Sequence, residues 1–579
     1  MGGFGSLYVG TSGLQMSQNA LNTTAHNLAN ADTKGYTRQQ IVMSDYIYDT
    51  LRESYLSPSQ IGLGTNIAAV RQVRDFFRDA EYRTSVGRQG FYEQSYNTVY
   101  EIQNYFGELE SVKFNDSLQD LWHAVSEVAK QPDDSVNLAT LKQMAINFVS
   151  RAEAVYQGIA DYQKKMNLEI NEAVDNINEL TQAIYELNIQ IRDVELGGAE
   201  NANDLRDARN IALDELSSYL NISYYEDSEG IVHVQTEGVQ LINGMTYHKM
   251  DTKMDGVNGF AVPYWPHLGT EVFDFRTPIS TQLNTDIGSL KAMVLARGDH
   301  KATFADMPVR PVESDYATTA EYDAAMADYN AKLKVYNTYT SASVIMNVQA
   351  ELDRLFNGIV TAMNDIFCPN TTVTDANGVT YTVLDTEKAS YGKDGQQGVE
   401  LFTRKNTPRY TEQTLTVNGE TKTYLVYNEP DLSNPLDKST WYTIGQVEVN
   451  EEVIKDPTCL GTINAQGEAD MALGEALADA WSKPFSTLNP NILDPCNFKD
   501  YYAALISDLS NLGFVYGGSA EAMAQASQYL DNKRSEVTGV SSDEELTNMI
   551  KFQSAYNAAS RYLTTVSEML EHIIVTLGS

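Results

Sequence analysis

Residues 1–31 contain no Asp, Glu, Lys or Arg, in a chain that is 21% charged. A helix that faces water normally carries a charged or strongly polar face. A stretch with none is constrained to fold where other protein encloses it. Leu7, Leu14, Leu21 and Leu28 recur every seven residues, and Thr11, Gln18 and Ala25 fill the intermediate seam positions. That spacing predicts a heptad stripe on a helix. The other faces carry Ser, Thr, Asn, Gln, Ala and Gly. Gly10 and Gly13 lower helicity by up to ~1 kcal/mol each relative to Ala. The segment is therefore expected to order on packing rather than alone.

The C-terminus has a matching feature. Ser541 with Glu544, and Ser542 with Glu545, both fit a capping box. Asp543, Glu544 and Glu545 then suit the positive end of a helix dipole. From there Leu546, Met549, Gln553, Tyr556, Ser560, Leu563, Ser567, Leu570, Ile574 and Leu577 follow a three-four spacing. A second track runs Phe552, Ala555, Ala559, Tyr562, Val566, Met569 and Ile573. Two apolar tracks imply neighbours on two sides, where an intramolecular hairpin needs one. Both ends are thus expected to form an assembly interface. Taken singly, either end also fits a helix central to a monomer core.

The chain has 579 residues, and cores stop growing near ~250–300, so three or four domains are expected. Phe148, Ala152, Val155, Ile159, Tyr162 and Met166 begin another heptad series, continued by Ala173, Ile177, Leu180, Ile184, Leu187, Ile191 and Val194. These predict a rod of roughly 70 Å at ~1.5 Å per residue, ended by Gly197-Gly198. A shorter helix follows at about 203–220. Residues 221–290 alternate like strands, as in Ile231–Gln235. Helical periodicity resumes near 287–298, from 319 to about 367, and at 498–533, with a loop at Pro308–Pro311. Asn377-Gly378 and Asn418-Gly419, each between β-branched runs, predict two hairpins. The expected fold class is α+β multidomain: long α-helical coiled-coil termini and a helical rod domain with an inserted β-rich outer domain. The expected units are a terminal helical assembly domain (1–45 and 540–579), a rod domain (46–367 and 497–539) with a small β region at about 221–290, and the insertion (368–496).

Composition bounds the chemistry. The formal charge is −37, from 78 acidic against 41 basic residues. Affinity for nucleic acid comes chiefly from Lys and Arg on phosphates, so nucleic acid and anionic membranes are not expected partners. Cys368, Cys459 and Cys496 stand far apart with no CxxC pair, too few for a disulfide framework. No apolar run reaches the ~20 residues of a membrane span. The first residues lack the basic stretch and continuous apolar core of a secretory signal peptide. His26, His123, His233, His248, His267, His300 and His572 form neither HExxH nor a Cys/His cluster of metal-ligand spacing. Gly62-Leu-Gly64 has no third glycine at Ile67. Asp375 and Asn377 read as a turn rather than a calcium loop. No catalytic residue, cofactor or metal site is predicted, and no enzymatic activity is expected.

Leu21 to Gln39 resembles the N-terminal signature of the flagellar rod, hook and hook-associated proteins, matching it at Asn27, Asn30, Thr33, Gly35, Tyr36, Arg38 and Gln39. Asp204–Arg209 with Ala212–Leu216, Gly288–Met293 through Arg297, and Val449-Asn450 with Asp456-Pro457 are similar to the hook-associated protein 1 family. So are Glu545-Leu546, Gln553, Ala555-Tyr556, Ala558-Ala559 and Met569-Leu570. The resemblance implies an extracellular structural subunit of the bacterial flagellum at the hook–filament junction, exported by the flagellar type III route without a cleaved signal peptide. It implies as partners identical subunits, the flagellar hook protein, hook-associated protein 3, and an export chaperone on the C-terminal helix. Alternatives are another axial flagellar protein (hook, distal rod or hook-associated protein 3), a filament-associated protein with an enzymatic outer domain, or a surface adhesin.

Overall fold

A computed structural model describes the chain apart from residues 1, 47, 53–58, 108–112, 198–200, 257, 418 and 578–579, with backbone alone for 2–4, 49–52, 59–61 and 577. Helix α1 (Gly2–Ala29) turns into a long ribbon of β1 (Gln39–Asp45), β2 (Tyr48–Arg52), β3 (Ser59–Gly62) and β4 (Thr65–Gln72). In it β1 pairs antiparallel with β4, and β2 with β3. The ribbon crosses the expected boundary at 45, because β1 has its partner beyond it. Helices α2 (Phe76–Phe106), α3 (Phe114–Lys130), α4 (Ser135–Glu195) and α5 (Asn203–Tyr219) follow. Asp75 caps α2 by accepting from the Phe77 and Arg78 amides, and Asp134 caps α4 in the same way through Val136 and Asn137.

The predicted β region holds two small sheets. One is the meander β5 (Ile222–Glu226), β6 (Val232–Thr236), β7 (Val239–Asn243), β8 (Thr246–Tyr247). The other is β9 (Asp251–Met254), β10 (Ala261–Trp265), β11 (Thr270–Glu271). Helices α6 (Ser289–Arg297), α7 (Thr319–Val335) and α8 (Val344–Phe367) come next. Beyond them lie β12 (Asn370–Thr374), β13 (Thr380–Leu384), β14 (Phe402–Arg404), β15 (Tyr410–Val417), β16 (Glu420–Tyr427) and β17 (Val447–Val449). They form a sheet of order β12-β13-β16-β15 and a β14-β17 pair. Val417 faces Glu420 across the second predicted hairpin turn; Asn418 itself lies outside the described residues. Helices α9 (Glu451–Lys455), α10 (Met471–Ser482), α11 (Phe498–Thr538) and α12 (Ser542–Leu577) complete the chain.

Helix α4 is the axis of the body. Its 61 residues span about 90 Å at ~1.5 Å per residue, longer than expected because it starts at Ser135. It ends at Glu195, and Gly198 lies outside the described residues. Its buried stripe runs Phe148, Ala152, Val155, Ile159, Met166, Ile170, Ala173, Ile177 and then Thr181, Ile184, Asn188, Ile191. Leu180 and Leu187 are half-buried and Val194 is exposed. The polar positions have partners. Asn188 donates to the Val232 carbonyl (2.8 Å) and accepts from its amide (3.1 Å), and Asn178 does the same to Met250 (2.8 and 2.9 Å). Helices α2 and α11 lie antiparallel, with Ser85 Oγ 3.0 Å from Ser527 Oγ and Arg78 donating to the Lys533 carbonyl at 2.6 Å.

The Phe148 ring stacks on Phe356 of α8 (centroids 5.6 Å apart). Leu401, Phe402, Tyr442, Val447 and Leu477 belong to the same continuous core as α3, α4, α8 and α11. The segment 368–496 is therefore welded to the rod by packing and contains helices as well as strands. Only Val383, Leu415 and Val426 form a small core of their own, under the β12–β16 sheet. Between α6 and α8, His300 sits 2.6 Å from Asp299 and 3.1 Å from Asp306. Burial alone would lower its pKa; the two carboxylates outweigh this and raise it to about 9.

Phe148→Ala is expected to cost about 3–5 kcal/mol, while Leu168→Ala, on the exposed face of the same helix, should stay within about 0.5 kcal/mol; denaturant melts of the two variants check this. The folded pKa of His300 lies above its ordinary 6.5, so its stabilising contribution is full below about pH 6.5 and is lost as pH rises through about 9. The difference in melting temperature between wild type and His300→Gln should shrink across that window.

Candidate assembly surface

Helices α1 and α12 pair antiparallel along their lengths. Gly10 lies against Tyr562 and Leu563, Gly13 against Ala559, and Asn27 Nδ2 is 3.3 Å from Glu545 Oε2. The buried residues of α1 are Gly10, Ser17, Ala20, Thr24 and Asn27. Small side chains let the two backbones approach closely: a Cβ on Gly10 would sit 3.0 Å from Leu563 Cδ1. Leu7, Leu14, Leu21 and Leu28 are half-buried and flank this seam rather than fill it. On α12 the covered positions are Glu545, Met549, Phe552, Tyr556, Ala559, Leu563, Val566 and Leu570. They combine parts of both predicted tracks. Leu546 is exposed (47%), as are Ile550 (66%), Met569 (61%) and Ile574 (69%). Ile573 and Val575 are exposed too, so apolar side chains stand open on several sides of the last turns of α12. The Leu577 side chain lies outside the described residues. Of the two predicted capping boxes, Ser541 acts as the cap, accepting from the Glu544 amide at 3.4 Å, while Glu545 turns inward to Asn27.

The residues 21–39 build the joint between this helix pair and the body. Asn27 Nδ2 donates to the Gln39 carbonyl (2.9 Å), and its Oδ1 accepts from the Gln39 amide (3.0 Å) and the Tyr36 hydroxyl (2.8 Å). His26 Nδ1 lies 2.9 Å from the same hydroxyl. Asn30 closes the helix end by donating to the His26 carbonyl, and Thr33 Oγ1 bonds Asn30 Oδ1. Gly35 takes φ +80, and a Cβ there would meet Ile211 Cδ1 at 2.5 Å, so both backbone and space require glycine. The Thr37 amide donates to Asp207 of α5 (3.0 Å), the Arg38 amide to the Thr538 carbonyl ending α11 (2.8 Å), and Arg38 Nη1 to Glu544 of α12 (3.0 Å). Gln39 Nε2 reaches Asp204 at 3.4 Å. One turn thus touches α1, α5, α11 and α12.

A row of charges backs the joint. Arg74 forks onto Asp79 (2.6 and 3.2 Å), and Arg534 of α11 bonds Asp214 at 2.5 Å, as does Arg83 at 2.7 Å. Burial raises the Asp207 pKa, with the Thr37 bonds opposing it. Burial also raises that of Tyr36, helped by Asp204, Asp207 and Glu545, so Tyr36 stays a neutral donor. Among the described residues no three His, Cys, Asp or Glu side chains are placed to hold a metal ion. The geometry fastens rather than reacts. Sequence reasoning missed Ser17, Ala20 and Thr24 as seam residues; their three-four spacing was visible, but leucines outweighed it. Arg534 gave no signal for Asp214, which is distant in the chain, and the Arg74–Asp79 pair is close in sequence but went unread because neither residue repeats in a pattern.

Comparison with known proteins covers both the joint and the body. The model of the flagellar hook-associated protein FlgK helical domain matches residues 99–380. The flagella basal body rod protein model matches 7–37, and the flagellar basal body rod FlgEFG protein C-terminal model matches 531–575. Flagellar hook-associated protein 1 of Bacillus subtilis is 24% identical, over 98% of this chain and 96% of its own. That of Escherichia coli is 23% identical, over 97% and 98%. The flagellar hook junction protein FlgK of Burkholderia pseudomallei, a solved structure, aligns over 79% of this chain and all of its own, with TM-score 0.49 and 11% identity. With rod-protein models on the two paired tails, a hook-associated model on the helical body, and relatives matching from end to end, the chain belongs to the flagellar hook-associated protein 1 family.

Proposed function

We propose that this structural subunit of the flagellar hook–filament junction joins its neighbours through the open stripe of α12, with α1 and α12 acting as one strut. The observation that carries the proposal is the exposure of Leu546, Ile550 and Met569 on a helix whose other side already packs on α1. Burying such a side chain is worth about 1.5–3 kcal/mol, so the stripe favours enclosure strongly once a neighbour is present. The uncharged surface of α1 supports the same reading. Leu7, Leu14, Leu21, Leu28, Leu546, Ile574 and Leu577 are assigned to contacts between subunits. Met549, Tyr556, Leu563 and Leu570 hold the strut together. Identical subunits, the hook protein and hook-associated protein 3 are the proposed neighbours, and an export chaperone covers the C-terminal helix before assembly. The domain roles follow: the tails assemble, the rod sets distance, and residues 368–496 lie outward without enzymatic activity. Export proceeds by the flagellar type III route with no cleaved signal.

Deleting 1–40 or 541–579 should leave a soluble body that no longer joins hook to filament; a truncate that restores filaments in cells lacking the gene refutes the assignment. Ile550→Asp should leave the monomer melting temperature unchanged yet abolish swimming on soft agar, because the charge falls on the side of α12 turned away from α1. Asn27→Ala strands the Gln39 amide and carbonyl and the Glu545 carboxylate, a loss on the order of 3 kcal/mol. Limited proteolysis should then cut first within 28–38.

A further inference from the structure

A cleft of about 560 Å³ opens between the loop after Met307, Tyr329 of α7, Arg354 of α8, and the segment 485–495. Its walls are apolar: Pro308, Pro311, Phe485, Pro490 and Leu493 among them. The Tyr329 hydroxyl is turned away, donating to the Pro490 carbonyl at 3.0 Å. Two cations, Arg310 and Arg354, belong to the lining, and Arg354 is the less exposed. Arg354 donates through Nε to Ser486 Oγ at 3.2 Å, and among the described residues no carboxylate forms an ion pair with its guanidinium. Arg297 and Arg404 also lack an acid partner, but backbone carbonyls accept from them. Arg74, Arg83, Arg206, Arg209, Arg409 and Arg534 are all paired with acids, in a chain with 78 acids to 41 bases. Burial lowers the Arg354 pKa, with Tyr501 and Asp353 opposing it. Arg310 and Glu313, both exposed, stand on the 307–313 loop that lines the cleft; Glu313 makes no ion pair with Arg354.

We infer that this cleft is a binding site for a small monocarboxylate with an aromatic or branched apolar body, its carboxylate on Arg354 and its body against the proline and phenylalanine walls. The volume is within the range of small-ligand pockets, and the lining has their usual form, mostly apolar walls with a few polar groups, Arg354 and Ser486 among them. A guanidinium without an acid partner matches a carboxylate fork on fork. An uncharged analogue leaves that cation desolvated and unpaired, which sets the selectivity.

Calorimetric titration of the full-length monomer with phenylbutyrate should give a Kd of about 1 mM or below, and phenylbutanol should bind at least tenfold more weakly. Arg354→Gln should lose at least tenfold for the acid alone. Because Arg354 is partly buried and its loss could perturb the fold, a second pair is decisive. Leu493 is exposed (69%) at the edge of the cleft, so Leu493→Asp should weaken the acid more than phenylbutanol, whereas Leu493→Lys should weaken the acid less than phenylbutanol. Equal binding of acid and alcohol overturns the inference, as does indifference to both Leu493 variants or no heat at any concentration. So does an Arg354→Gln variant that changes the sedimentation of the protein while binding phenylbutyrate normally, since the cleft would then be a contact between copies. The measurement is made on the monomer, so it stands or fails apart from the assembly reading.

Discussion

An asparagine side chain presents one acceptor and one pair of donors at nearly the spacing of a peptide group. At Asn27 both ends reach the same residue: its amide donates to the Gln39 carbonyl and its oxygen accepts from the Gln39 amide. The helix therefore holds the start of β1 as a neighbouring strand would. Everything downstream depends on that hold. It fixes the turn 30–38, which carries Thr37 to Asp207 and Arg38 to the end of α11, and so sets where both tails leave the body. Buried polar groups without partners are costly, and the solution here is a residue whose own group mirrors the backbone.

The device recurs. Asn178 and Asn188 on α4 clamp Met250 and Val232, and Asn364 on α8 clamps Phe402 (2.7 and 3.1 Å). In each case a helix meets a strand end for which no sheet neighbour supplies the missing bonds. Apolar packing alone would let a strand slide along a helix by small steps. A double hydrogen bond to one residue permits a single register. The long α4 is pinned twice in this way, and the β region cannot shift along it.

The sequence showed some of this and hid the rest for definite reasons. The heptads from Phe148 to Ile177 were legible because one apolar face of α4 is buried against several elements at once. Past Ile177 the stripe passes through Thr181 and Asn188, and a reading based on hydrophobicity moved instead to Leu180 and Leu187. The hairpins at 377–378 and 418–419 were visible because turn chemistry is local. The antiparallel β13–β16 contact, formed between two different hairpins, was not, since nothing in either hairpin encodes its partner. The family motif was legible at 27–39, but the bonds its residues make required Asp207 and Thr538, far along the chain. On α1 the leucines drew attention, but the close seam is made by Gly10, Ala20 and Thr24, where less side chain allows more contact.

The joint at residues 35–39 has a mechanical corollary. The N-terminal strand and the C-terminal helix do not leave the body at separate points; Arg38 binds the last turn of α11 through its backbone and the first turn of α12 through its side chain. Torque applied to the strut therefore loads these attachments side by side, and they must yield together rather than one after another. A lever anchored in this manner behaves like a keyed shaft: rotation at one end is delivered to the other with little backlash, although no covalent bond joins the two tails.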